Sequence, residues 1–174
     1  MVRFLLLVAS VMLVVLPVSA QALWGGLTVG MTPEQVRGAR SGLIDVSDPR
    51  ALIRDASGVS PALLREPGVD VGGLRFDATM YFREGRLDQV ALSNDKTNPI
   101  ADPVAAYEGV VEALTSKYGK ASSAERSSSL GYSANHTWLV GDITIKSVVF
   151  DFRQGQPLIN VNYSRRAADR AKNL

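Results

Sequence analysis

Two unrelated local signals recur in this chain at one spacing. Thr32 and Asp102 each precede a proline, the pattern of a helix opened by a capping side chain, and they lie 70 residues apart. Phe82 to Gly85 and Phe152 to Gly155 each read as a hairpin turn, and these also lie 70 residues apart. Beyond the turns, Leu87, Val90 and Ser93 match Leu158, Val161 and Ser164 at an offset of 71, because Pro157 adds one residue. This spacing predicts two repeated half-modules, about 24–95 and 96–166, inside a single α+β domain over residues 21–166.

Each half opens with a helix. Thr32, Pro33 and Gln35 form a capping-box start, and Ser41-Gly42 reads as the stop. Asp48-Pro49 offers a second, brief or irregular helix. In the other half Val104, Tyr107, Val110, Val111, Leu114 and Tyr118 fall on one stripe between Asp102 and Gly119, so this helix must cover a core. Strands are predicted near Leu63 to Arg65 and over Leu74 to Arg83, Arg86 to Ser93, Ala134 to Val140, Ile143 to Phe152 and Leu158 to Ser164. Ser122 to Ser129 reads as a loop.

Alternation divides the sheet into two faces. Leu74, Phe76, Ala78, Met80 and Phe82 point one way, and Arg75, Asp77, Thr79, Tyr81 and Arg83 the other. Ile159, Val161 and Tyr163 alternate in the same manner with Asn160, Asn162 and Ser164. Ile143 and Ile145 are out of phase with Val148, Phe150 and Phe152, which predicts a bulge near Ser147. The expected architecture is an antiparallel sheet of about six strands with helices packed on one face and the polar face open.

The first residues describe a destination. Met1 to Arg3 is a short basic start, Phe4 to Leu16 is apolar, and Pro17 to Ala20 ends on small residues, so residues 1–20 read as a cleavable secretory signal peptide. Cleavage after Ala22 fits nearly as well. The apolar run is shorter than the roughly 17 to 25 residues a span needs, so no stable membrane span is expected and the mature chain is placed in the periplasm. With Cys 0, a lipid anchor, a thiol nucleophile, a redox pair and a thiolate metal site are all excluded. Lys+Arg 19 against Asp+Glu 17 is close to balance. The excess sits in Arg165, Arg166, Arg170 and Lys172, so residues 167–174 form a basic tail and the body carries no nucleic-acid footprint.

Gly30 to Val36, reading Gly-Met-Thr-Pro-Glu-Gln-Val, resembles the helix opening of the SmpA/OmlA (BamE) outer-membrane assembly lipoproteins and of proteins with the β-lactamase-inhibitor-protein-like fold. Tyr118-Gly119 with its small-residue loop resembles the second-helix end of tandem versions. The resemblance implies helices on one side of an antiparallel sheet and protein partners bound through exposed sheet or loops. The lipidated Cys of the first group and the disulfides of the second are missing here, so neither specific role carries over.

Catalytic chemistry finds little support. His136 is the single histidine, and its parity with Ala134, Trp138 and Val140 favours a packed imidazole over a base. Ser133 lacks the second Gly of a nucleophile elbow. Gly25 to Gly30 leads to Met31 rather than Lys, so it is a lead-in to the first helix and no phosphate loop. Asn94, Asp95, Thr97 and Asn98 enclose Lys96 and lack a closing acid for Ca²⁺. No cofactor, metal site or catalytic set is therefore expected.

The open polar face remains. Arg75, Asp77, Tyr81, Arg83, Asn160 and Asn162 are the candidate binding residues, since Arg and Tyr carry interface energy and a sheet presents them at low entropic cost. A protein partner is the leading expectation, for a non-enzymatic binding or scaffolding module of the cell envelope. A carrier with a pocket lined by Tyr107, Tyr118 or Trp138, and an enzyme using carboxylates such as Asp77 beside Arg75, stay open as alternatives. Trp24 and Trp138 fit either rim or core.

Overall fold

In the computed structural model, which describes residues 22–55, 58–97, 99–128, 131–151 and 155–166, both helices begin on their capping side chains. Helix α1 (Pro33–Ala39) opens with the reciprocal box, Gln35 N donating to Thr32 Oγ1 and Thr32 N to Gln35 Oε1. Helix α2 (Pro103–Tyr118) opens on Asp102 Oδ1, which accepts from the amides of Val104 and Ala105, and ends at Gly119. Thr32→Ala is expected to cost about 1 kcal/mol, because the Gln35 amide at the start of a seven-residue helix loses its partner. A urea melt against the parent checks it.

Eleven strands accompany them. A small hairpin pairs β1 (Ala22–Trp24) with β2 (Leu27–Thr28). The main sheet contains β3 (Ile44–Asp45), β4 (Leu52–Asp55), β5 (Gly58–Val71), β6 (Leu74–Arg83) and β7 (Arg86–Asn94). It continues with β8 (Ser123–Ser127), β9 (Tyr132–Val140), β10 (Ile143–Asp151) and β11 (Leu158–Arg165). Its spatial order is β3-β5-β6-β7-β11-β10-β9-β8, antiparallel throughout, with β4 also on β5.

This corrects the expected α+β class with about six strands. Of the described residues 55% are strand and 17% helix, in one nine-stranded sheet and one two-stranded sheet, so the protein is mostly β. Each missed strand has a physical reason. β8 is exposed at every residue, and a strand with no buried face shows no apolar alternation; the Ser-rich stretch is therefore an edge strand and not a loop. Where Asp48-Pro49 predicts a short helix, the chain turns and runs into β4 along β5. β5 extends far beyond Leu63 to Arg65, and its register shifts between Ala62 and Leu64 and between Glu66 and Val69, around Leu63 and around Pro67-Gly68. Gly25 and Gly26, both at positive φ, close the β1–β2 hairpin, whose Leu23, Trp24 and Leu27 are buried.

The expected bulge near Ser147 is also absent. β10 pairs residue for residue with both β9 and β11, so Ser147 and Val149 face inward while Val148 and Phe150 face outward. Tyr107 of α2 meets this strand from the inner side: its hydroxyl donates to the Ser147 carbonyl at 3.1 Å, and both residues are buried. An irregularity does occur in the β6–β7 hairpin, where Tyr81 pairs with Gln89 but Phe82 with Leu87, leaving Asp88 as the extra residue. The turn between them holds Glu84 at φ 50 and Gly85 at φ 71, the mirror-image turn that suits strand twist.

The strands form two meanders, β5-β6-β7 and β9-β10-β11, joined where β7 meets β11. Ala91 pairs with Asn162 at the middle of that seam, and the pairs Ser93 with Asn160 and Gln89 with Ser164 flank it symmetrically. Phe152, the expected signal segment 1–20 and the expected basic tail 167–174 lie outside the described residues.

The core fills the inner face under α1, α2 and the β1–β2 hairpin. Phe76, Ala78, Met80 and Phe82 of β6 are buried there with Val90, Leu92, Ile143, Ile145, Val149, Ile159, Val161 and Tyr163, as are Tyr107, Val110 and Leu114 of α2. Arg40, just past α1, ties three parts together. It forms a two-point ion pair with Glu66 of β5, donates to Gly25 O and lies over the Trp24 ring at 4.7 Å.

Candidate functional site

Strand parity and continuous register make the outer face of the sheet one grid. Asp77, Ser93, Asn160, Val148, Asn135 and Glu125 form a row across six strands. Thr79, Ala91, Asn162, Lys146 and Thr137 form the next. Side chains two strands apart on a row stand about 10 Å from each other, so Asp77 and Asn160 flank Ser93 on a shared surface.

The predicted residues divide by environment. Arg75 is exposed on β6. Asp77 pairs with Arg65 of β5 at 3.4 Å, rather than with Arg75. Tyr81 is half-buried, and that burial raises its hydroxyl pKa. Arg83 is held on the structure itself: it bonds Asp55 at 3.0 Å, Asp88 at 3.1 Å and Ser60 Oγ at 3.2 Å, with 19% of its side chain exposed. Asn160 and Asn162 are half-buried on β11, and the Oδ1 of each finds no hydrogen-bond partner among the described residues.

Two grooves follow β5, β6 and β7. One, of about 350 Å³, lies between Asp45, Val46, Ser47, Asp48 and Ala51 on one side and Arg65, Thr79 and Tyr81 on the other. The second, of about 360 Å³, runs from Arg65, Asp77 and Thr79 to Ser93 and Lys96. Arg65 and Thr79 belong to both. Arg65 lies in the strand expected near Leu63 to Arg65, but Pro61, Pro67 and Gly68 hid that strand's full length, and with it the pairing with β6 that brings Arg65 beside Asp77. A third groove, of about 260 Å³, crosses β8, β9 and β10 between Glu125, Asn135, Lys146, Val148 and Phe150.

Corrected phase in β10 reveals an apolar element on the same face. Phe150 pairs with Leu158, each 39% exposed, and Val148 stands beside them next to Asn160. Leu139, 48% exposed, lies on this face toward the β9–β10 turn. Polar side chains thus occupy the middle of the grid, with an apolar strip at one end.

The described side chains of the inner face are packed into the core. His136 is buried, with Nδ1 3.0 Å from the Tyr107 hydroxyl and its ring stacked near Trp138. Trp138 donates to Gly119 O at 2.9 Å, and Trp24 and Trp138 are both core. Tyr107 and Trp138 are packed rather than lining a pocket. Asn94 is buried and bridges Pro157 O and Ile159 N, while Asp95 Oδ1 accepts from Thr97 N and Oγ1; Asn98 lies outside the described residues. Among the described residues no cluster of three His, Cys, Asp or Glu could hold a metal ion, and no helix is long and apolar enough to cross a membrane. No protein-family model, curated protein or solved structure matches the chain, so the likeness to the outer-membrane assembly lipoproteins rests on the sequence motifs alone.

Proposed function

We propose that the chain is a cell-envelope module, exported to the periplasm by its N-terminal segment, that recognises a protein partner through the outer face of its sheet. The observation that carries this reading is the apolar strip Val148, Phe150 and Leu158 beside the half-buried Asn160 and Asn162. A solvated sheet face alternates apolar-in and polar-out, and three neighbouring apolar side chains outside break that rule where a partner would gain most from burial. Tyr81 and Arg65 at the other end add the residue types that anchor interfaces.

The test is capture from envelope extract by the immobilised mature chain and three variants. Tyr81→Ala and Leu158→Asp are expected to weaken capture by about fivefold or more, equivalent to at least about 1 kcal/mol. Val104→Asp, on the exposed side of α2, should bind as the parent does. Equal capture by all four proteins would remove the sheet face from consideration.

A further inference from the structure

His136 sits at the junction of three elements, and its hydrogen bond to Tyr107 fixes the tautomer of the neutral ring. The Tyr107 hydroxyl donates to Ser147 O at 3.1 Å, so it can only accept from His136 at 3.0 Å. The neutral ring is therefore the Nδ1–H tautomer, and an added proton goes to Nε2. The chain His136 to Tyr107 to Ser147 O fastens α2 to β9 and β10 inside the core, and burial pushes the Tyr107 hydroxyl up to about 12, so it remains a hydroxyl throughout.

We propose that His136 is an acid-sensitive latch holding α2 and the edge strand β8 on the β9–β10 end of the sheet. His136 is 7% exposed as a residue, so an imidazolium here would be poorly solvated. Among the described residues, Tyr107 of α2 bonds the ring and Arg126 of β8 acts on it, while Glu108 of α2 faces Arg126 and Tyr132 of β9 acts on Tyr107. Arg126 repels a charged ring, and Glu108, the one acid of the set, already faces Arg126 at 3.8 Å. A protonated ring reaches water most cheaply by parting β8 and α2 from β9. β8 pairs on one side only and is exposed along its whole length, whereas β6 and β7 are flanked on both sides.

Burial, with Arg126 adding to it, lowers the His136 pKa below the ordinary value of about 6.5. The stability contributed by the neutral ring is complete above that ordinary value and is lost as the pH falls through the folded-state pKa. The chain has one histidine, so proton NMR of the mature protein follows His136 directly. Its ring resonances should titrate below pH 6.5. Over the same interval amide exchange in α2 and β8, corrected for intrinsic rates, should accelerate at least about fivefold while β6 and β7 stay protected. Arg126→Gln, at a largely exposed side chain, should move the midpoint upward. Titration at or above 6.5, or exchange in α2 and β8 that ignores the titration or rises equally in β6 and β7, would overturn the latch.

Discussion

Gly72→Ala is expected to destabilise the protein by about 3 kcal/mol or more. Gly72 lies at φ +64 in the turn between β5 and β6, and a Cβ there would stand 2.3 Å from Gly109 O and 2.8 Å from Val110 N. Both obstacles are backbone of α2, which cannot rotate aside as a flexible side chain would. The strain of a left-handed residue, about 1 to 2 kcal/mol, then adds to the displacement of the helix. Gly73→Ala is the control, since Gly73 has φ +81 and open space around it. It should cost only about 1 kcal/mol. Denaturant melts of the two variants measure the difference; equal losses would mean that α2 does not rest on this turn.

The second large effect falls on a buried amide. Asn94 closes the end of β7 by donating from Nδ2 to Pro157 O at 3.1 Å and accepting from Ile159 N at 2.9 Å, so its side chain stands in for a strand at the start of β11. Asn94→Leu keeps the volume and leaves a carbonyl and an amide buried without partners. Each such orphan costs about 1 to 3 kcal/mol, so a loss of about 2 to 4 kcal/mol is expected. The midpoint of a urea transition should fall while its slope stays constant. A loss under about 1 kcal/mol would show that water reaches both groups.

What the sequence made legible was set by how local each signal is. The helix starts at Thr32 and Asp102 depend on side chains bonding amides two or three positions away, and both are found where the sequence put them. Alternation in β6 was readable because one face is buried along its whole length. β8 was not, since Ser123 to Ser127 has no buried face to mark a period. Proline misled twice: Pro49 suggested a helix start, and Pro61 with Pro67 broke up the appearance of β5.

The most consequential misreading was at Ser147. Reading Val148 and Phe150 as core assumes that apolar residues point inward, but β10 pairs without a break with both β9 and β11, and Ser147 is buried under the Tyr107 hydroxyl that its carbonyl accepts. The unbroken pairing sets the phase of β10. It turns Val148 and Phe150 out to join Leu158, and so creates the apolar end of the candidate face. For the site, Asp77, Tyr81, Asn160 and Asn162 could be placed on one surface from parity alone. The engagement of Arg83 by Asp55 and Asp88, and the position of Arg65 between two grooves, depend on strands that parity could not register.

The most direct test of recognition through the outer face is covalent side-chain footprinting of the mature protein, alone and after loading with envelope extract. The face predicts that Phe150, Leu158, Leu139 and Tyr81 lose reactivity together on loading, while Val104 on α2 and Val59 on β5 keep theirs. Unchanged reactivity across those four residues, or protection centred on Val104, would contradict the account.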